Sequence, residues 1–344
     1  MGTSALDDDS EARVRQEWTK GRIAWRVFLL ALTGVSIYLL LPSLIETFSS
    51  WRSLSKLDPL WAALIVPAEA LSYVSVWILQ RIALQAEAWF PIATSQLAAN
   101  AAGRVMPAGG AASPAIQIGM LRRAGIGGAR AAAALAAAGG LLWATLLALP
   151  LLSLPAILAG TPVAHNLAVA AYLGAAVLVL LLLFGTSAFV VDKPLWLLGR
   201  WIQWVLNETI RRKRPVHDLG DSLLEQRDFI RRTIGRRWFA AVTAATAESA
   251  FDYIALLAAL RAVGASPQPS LVLIAYVAAA LLGVIPVTPG GLGFVEAGLI
   301  GMLTLSGVNA SDAVVATLAY RLAAFWLPIP VGGIAYLLFR HRYR

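Results

Sequence analysis

Cysteine is absent from this 344-residue chain, and charge is scarce. Without thiols there is no disulfide framework, no thiol nucleophile and no thiolate metal site. The three histidines, His165, His217 and His341, lie too far apart for a ligand spacing. No metal and no other cofactor is therefore expected. Charged residues make up 14% and apolar residues 59%. Soluble domains carry about 25% charged and about 45–50% apolar residues, so this chain has too little polar surface to meet water on all sides. A soluble enzyme or a free nucleic-acid-binding domain is excluded on that ground. The composition indicates an all-α polytopic membrane protein, because helices satisfy their own backbone groups in lipid.

What the chain does have is apolar runs long enough to cross about 30 Å of hydrocarbon. The polar segment 1–24, with Asp7, Asp8 and Asp9 followed by Arg13, Arg15, Lys20 and Arg22, precedes a run from Trp25 to Phe48 that reads as a retained first span. Further spans are expected at 59–80, 129–153, 165–189, 238–260 and 314–339. Two segments do not fit. Residues 92–121 contain Gln96, Asn100, Arg104, Pro107, Gly109, Gly110 and Pro114, while 269–305 is cut by Pro286, Pro289, Gly290, Gly291 and Gly293. Proline removes a helix donor and glycine admits unusual backbone angles, so each segment is expected to be a re-entrant hairpin that dips in and returns.

The net charge of +9 becomes informative once it is sorted by side of the membrane. Cytoplasmic placement of both termini, Arg81, the Arg122–Arg130 turn and segment 190–237 leaves only Arg52, Lys56 and Arg261 outside, with Arg104 and Arg321 in membrane segments. Such a bias indicates a cell-membrane protein with cytoplasmic ends and opposed hairpins. A shift of 182 residues also places Pro107 on Pro289, Gly109 on Gly291, the run Gly119 to Leu121 on Gly301 to Leu303, and Gly125 on Gly307. The expected membrane domain, 25–340, is thus an inverted repeat of span, re-entrant hairpin and span. Its first repeat is 59–153 and its second 238–339, joined through a basic interfacial and cytoplasmic linker at 190–237. That linker reads as a Trp- and Arg-anchored helix or as a surface for anionic lipid headgroups. No nucleic-acid motif accompanies its charge.

Ionisable residues inside hydrocarbon are costly, and their default reading is a site facing the bundle interior. Six stand out: Glu69, Arg104, Glu248, Asp252, Glu296 and Arg321. Glu248 and Asp252, four apart, share a helix face. With Glu69 they form either a proton-responsive group or a structural charge network with the two arginines. Glu296 follows the second break, where it caps a helix start or gates the hairpin tip. Arginine forks and the open amides at broken helices suit phosphate oxygens, which makes anionic headgroups the natural ligand. The substrate-binding set expected is Asn100, Arg104, Pro107, Gly109, Gly110, Pro289, Gly290, Gly291, Glu296 and Arg321. No nucleophile and base constellation is visible, so no catalytic residue and no enzyme activity is expected.

The run from Pro286 to Ala297, then Gly307-Val308, Tyr320-Arg321 and Phe325 to Pro328, resembles the closing motif of the lysylphosphatidylglycerol synthase transmembrane family, also called flippase-like. Asn100 to Gly110 with Arg122, Arg123 and Gly125 resembles its first motif, except that Ala111, Ala112 and Ser113 stand where an acidic residue is expected. The resemblance covers nearly all of 25–340. It implies a multi-span domain that moves lipids between leaflets, here without the aminoacyl-transferase domain of the namesake members. Three functions follow as alternatives: a translocase for an anionic or modified phospholipid or a polyprenyl-phosphate lipid, a secondary transporter of a small solute, and a non-transporting envelope scaffold serving a separate transferase partner.

Overall fold

The computed structural model describes residues 57–106, 109–153, 191–209, 237–283 and 289–343, with isolated positions between 180 and 235. The expected spans 25–48 and 165–189, Pro107 and Pro286 lie outside the described residues or largely so. Everything described is helix and turn, with no strand among the described residues.

Helix α1 (Pro59–Leu84) starts where the Asp58 carboxylate accepts a hydrogen bond from Leu60 N at 2.9 Å and Pro59 supplies a preset φ. It is followed by α2 (Trp89–Val105), α3 (Gly109–Arg123) and α4 (Gly128–Ala148), the last running into a 3₁₀ turn at Leu149–Ser153. Helix α5 (Asp192–Thr209) lies in the linker. Beyond it come α6 (Trp238–Ala262), α7 (Pro269–Leu282), a 3₁₀ turn at Pro289–Gly291 and α8 (Phe294–Leu305). Helix α9 (Ala310–Arg321) passes through a π-helical turn at Leu322–Trp326 into α10 (Pro328–Arg342). Among these, Pro59–Leu84, Gly128–Leu151 and Ala310–Arg342 are long and apolar enough to cross a membrane. The expected single span 314–339 is corrected in one respect: its middle is not α-helical but widens by one residue per turn, with Leu327 N bonded to Leu322 O at 2.9 Å.

Helices α1 and α6 form the centre and run antiparallel. Asp58 N bonds Ala262 O at 2.9 Å at one end, while Leu79, Ala83 and Leu84 pack with Ala241, Ala244 and Ala245 at the other. Small residues make this contact, which lets the backbones approach closely and replaces the hydrophobic drive that lipid cannot provide. Helix α2 packs antiparallel on α10, where Gly332 sits directly on Ala101 Cβ and the Leu97 carbonyl with no room for a side chain. Outward faces carry Leu60, Leu64, Leu71 and Ile78 on α1 and Ile334, Leu337 and Leu338 on α10, all exposed.

Both anomalous segments are helical hairpins. In the first, Ile92 at the start of α2 packs with Leu121 at the end of α3; in the second, the Ser306 hydroxyl donates to Leu271 O at 3.3 Å. The α3–α4 turn has Gly125 at φ +87°, Gly125 N on Arg122 O at 3.1 Å and Ile126 N on Leu121 O at 3.0 Å. The α8–α9 turn repeats it, with Gly307 at φ +90°, Gly307 N on Thr304 O at 3.0 Å and Val308 N on Leu303 O at 3.1 Å. A glycine in the left-handed region closes each helix in a Schellman turn. The two turns stand at opposite ends of the α1–α6 pair, Leu121 packing in the cluster of Leu84 and Ile92 and Val308 in that of Leu57, Val263 and Ala265.

Basic side chains gather at the first of these ends. Arg81 donates to Glu87 O at 2.9 Å and lies 4.2 Å over the Trp89 ring, Arg130 reaches Leu84 O, and Arg342 lies 4.8 Å over Phe90. In the linker, the face of α5 bearing Leu197, Trp201 and Trp204 is exposed. Arg227 pairs with Asp192 at 2.6 Å and Asp228 at 2.9 Å, and the Asp192 bond above all holds its guanidinium beyond the usual arginine range.

Candidate functional site

A polar cavity of about 380 Å³ lies where α1, α2, α3, α6 and the α9–π turn meet. Helical spacing sets its walls. Glu69, Ser72, Tyr73, Val76 and Gln80 form one stripe of α1, with Ser72 and Tyr73 three and four residues after Glu69, Val76 three after Tyr73 and Gln80 four after Val76. Gln96, Asn100 and Arg104 do the same on α2, and Ser113 and Gln117 on α3. Glu248 and Asp252 come from α6, and Tyr320, Arg321, Ala324 and Phe325 from the second half's last membrane segment. Of the six ionisable residues singled out in the sequence, five line this one cavity. The sixth, Glu296, stands behind it and accepts from Arg321 Nε at 2.7 Å.

The two arginines have different tasks. Arg104 is engaged: Nη1 donates to the carbonyls of Ala324 at 2.5 Å and Phe325 at 2.7 Å, and Nη2 to the Tyr73 hydroxyl at 3.0 Å. Both carbonyls belong to the π turn, where the widened helix leaves acceptors to be satisfied from outside. Arg321, in contrast, has Nη2 buried without a hydrogen-bond partner, as is Oε2 of Glu296. Their side chains are 13% and 14% exposed. Both guanidiniums lie over Phe325, at 5.1 Å for Arg104 and 4.4 Å for Arg321, so the ring's negative face holds two cations together. Arg321 is thus half engaged: a bare guanidinium in lipid is too costly, and α8 carries its ion-pair partner in Glu296.

The acids come from α1 and α6. Asp252 accepts from the Tyr276 hydroxyl at 2.7 Å and the Tyr320 hydroxyl at 2.8 Å, which satisfies both of its oxygens. Ser249 donates to Glu248 Oε2 at 2.8 Å. Glu69 is 6% exposed, and its Oε1 is buried with no hydrogen-bond partner.

Of the predicted glycines, Gly109 and Gly110 open α3, at the far side of the first break from Arg104. Pro289, Gly290 and Gly291 form the turn of the second break, and the two glycines are not among the residues that line the cavity. Their part is positional. Gly290 has φ +62°, and a Cβ there would stand 2.8 Å from the Phe325 ring and 2.9 Å from Arg104 O. The second break thus presses on the end of the first through a residue that has to be glycine.

The family model of the lysylphosphatidylglycerol synthase TM region matches residues 23–332. The chain belongs to this family. Every residue lining the cavity falls within the matched region, and the membrane character of the family agrees with the apolar helices. A shorter stretch is 33% identical over 86 residues to a UPF0104 membrane protein of Methanothermobacter thermautotrophicus, which amounts to 25% of this chain and 24% of that relative. The match therefore spans about a quarter of the relative's length. No solved structure matches the chain.

Within this family member, sequence reasoning missed Ser72, Tyr73, Gln80, Gln117, Tyr276 and Phe325 as parts of the site or its immediate support. A signal existed for some of them. Glu69, Tyr73 and Gln80 stand at i, i+4 and i+11 of an apolar helix, as Gln96, Asn100 and Arg104 stand at i, i+4 and i+8. A polar stripe in a membrane helix marks the side turned toward protein or water. Tyr276 and Phe325 carried no such signal, because an aromatic in an apolar run is unremarkable until its neighbours are known.

Proposed function

We propose that this chain is an integral membrane translocase that moves lipids with an anionic headgroup between the leaflets of the cell membrane. The observation that carries the reading is the paired-arginine pole of a polar cavity inside an otherwise apolar bundle, with Arg321 Nη2 buried and unpartnered beside it. A phosphate offers the acceptors that this guanidinium lacks. Ligand cavities commonly measure about 300–1,000 Å³, so the space suits a headgroup while the acyl chains stay in lipid.

The architecture proposed is an inverted repeat with two re-entrant hairpins. It is supported by the matching turns at Gly125 and Gly307, by the antiparallel α1 and α6, and by helix length. Helices α2 and α3 have 17 and 15 residues, α7 and α8 have 14 and 12. At 1.5 Å per residue none spans about 30 Å of hydrocarbon, so each hairpin turns back within it. Repeats of opposite orientation with broken helices are a recurring transporter plan, with the site at the midplane between them. The basic end of the bundle is cytoplasmic by the positive-inside rule, which puts both termini there. No covalent step is part of this function; a separate transferase that makes the lipid is the partner it implies.

The test is headgroup-resolved lipid scrambling in vesicles reconstituted with the purified chain alone. Movement of anionic lipid above the protein-free background is expected. Vesicles that move no lipid yet accumulate a small phosphate-bearing solute would replace this reading with a solute transporter, and vesicles that move neither would leave the scaffold reading.

A further inference from the structure

One wall of the cavity is left over by the arginines and the acids, and it is neutral. Gln80, Gln96 and Gln117 are 7%, 9% and 6% exposed, and Ser72 is 5% exposed. Gln117 Nε2 donates to Gln80 Oε1 at 2.8 Å, Trp77 Nε1 donates to Gln96 Oε1 at 3.1 Å, and the Tyr73 hydroxyl donates to Asn100 Oδ1 at 3.3 Å. In each case one end of the amide is held by protein. The other end, Gln80 Nε2, Gln96 Nε2, Asn100 Nδ2 and Gln117 Oε1, has no hydrogen-bond partner among the described residues and belongs to a side chain that lines the cavity. Four amide ends turned onto one space, three of them from buried side chains, favour a ligand that completes their hydrogen bonds.

Carboxamides present a donor and an acceptor with no net charge. The ends left free here are three donors and one acceptor, and a group of several hydroxyls, which accept as well as donate, completes all four. An ammonium group offers donors only and would leave the three free amide donors unmet. Asp252 has both oxygens filled by tyrosines, Glu296 is paired to Arg321, and the Phe325 face is occupied by two guanidiniums that repel a further cation. The acids that remain open, Glu69 and Glu248, can accept from hydroxyls as well, since carboxylates commonly hold the hydroxyls of a sugar ring.

We infer that the lipid headgroup taken by this cavity is a polyol or sugar phosphate, its phosphate on Arg321 and its hydroxyls on the amide wall formed by Gln80, Gln96, Asn100 and Gln117. The inference rests on the translocase reading for the lipid attached to that headgroup, but the binding chemistry is a property of the cavity alone. A site built for hydroxyls rejects analogues that lack them, because its buried amides are then left unpaired.

The experiment uses the full chain purified in detergent and soluble probes: myo-inositol 1-phosphate, phosphoethanolamine and inorganic phosphate, with affinities measured by calorimetry. The inositol phosphate should bind about tenfold or more tighter than either other probe, the worth of one or two hydroxyl pairs. Gln117→Met keeps size and removes the amide; it should erase that preference while inorganic phosphate binds as before. Ser72→Ala, a milder change on the same wall, should reduce the preference in the same direction if the methionine variant does not fold. Equal or tighter binding of phosphoethanolamine would overturn the inference, as would an unchanged preference in folded variants. In vesicles, phosphatidylinositol should scramble faster than phosphatidylethanolamine. If no lipid moves while the hydroxyl preference persists in detergent, the translocase reading fails and the assignment of the cavity stands.

Discussion

The turns at Gly125 and Gly307, 182 residues apart, carry the same hydrogen bonds and the same left-handed glycine. At the same distance before Arg321 stands Gly139, and before Glu296 stands Pro114. The two halves of the chain therefore share this turn and differ in these charges. A repeated backbone serves a repeated need, the closing of a short helix against the next span. A charged group at the meeting point of the halves serves both, so one copy is enough and a second would bury an unpaired ion. Arg104 and Arg321 illustrate the division of labour: the first half's arginine closes the second half's π turn, while the second half's arginine keeps a free donor beside the cavity.

The comparison breaks most completely on topology. Arg123 and Asn309 are both exposed, one just before the Gly125 turn and the other just after the Gly307 turn. Cysteines placed at the two positions in intact cells should label from opposite faces with a membrane-impermeant reagent; labelling of both from one side would end the inverted-repeat proposal. Next in size is Arg104→Ala. Removing the guanidinium orphans the Ala324 and Phe325 carbonyls, at about 1–3 kcal/mol each, so the purified protein should melt several degrees lower. Unchanged melting would show that the π turn does not depend on the first half.

Arg321→Lys is expected to act the other way. Lysine keeps the pairing charge for Glu296, so melting should change little, while loss of the planar fork should slow movement of anionic lipid by about tenfold or more. A lysine variant that transports at the wild-type rate would remove bidentate phosphate contact from the mechanism. The smallest effect tests the shared backbone. A Cβ at Gly125 or Gly307 meets nothing within 4 Å, so alanine there costs only the strain of a left-handed residue, about 1–2 kcal/mol. Both variants should lose the same stability in thermal denaturation; a clear difference would mean that the two turns are alike in geometry and unlike in load.

Composition, the long apolar runs and the proline and glycine breaks were enough to mark three helices long and apolar enough to cross a membrane, the short helices beside each break and five charged residues that line the cavity. Each of these follows from a local rule: the length of hydrocarbon, the lost donor of proline, the cost of charge in lipid. The π turn at Leu322–Trp326 was legible only as the donor that Pro328 removes from the Ala324 carbonyl; that this carbonyl is taken by Arg104, more than two hundred residues earlier in the chain, was not. Nor could the sequence say which arginine is consumed by structure, because Arg104 and Arg321 are alike until their partners are known. The amide wall was equally hidden. Gln80 and Gln117 are ordinary polar residues in sequence, and only the packing of α1, α2 and α3 turns them toward one space. The sequence by itself thus determined that this chain lives in a membrane, where its helices break and which residues lipid cannot leave unpaired. The pairing itself, and with it the chemistry of the cavity, was decided by tertiary structure, because hydrogen bonds between helices depend on which faces meet and no local pattern specifies that.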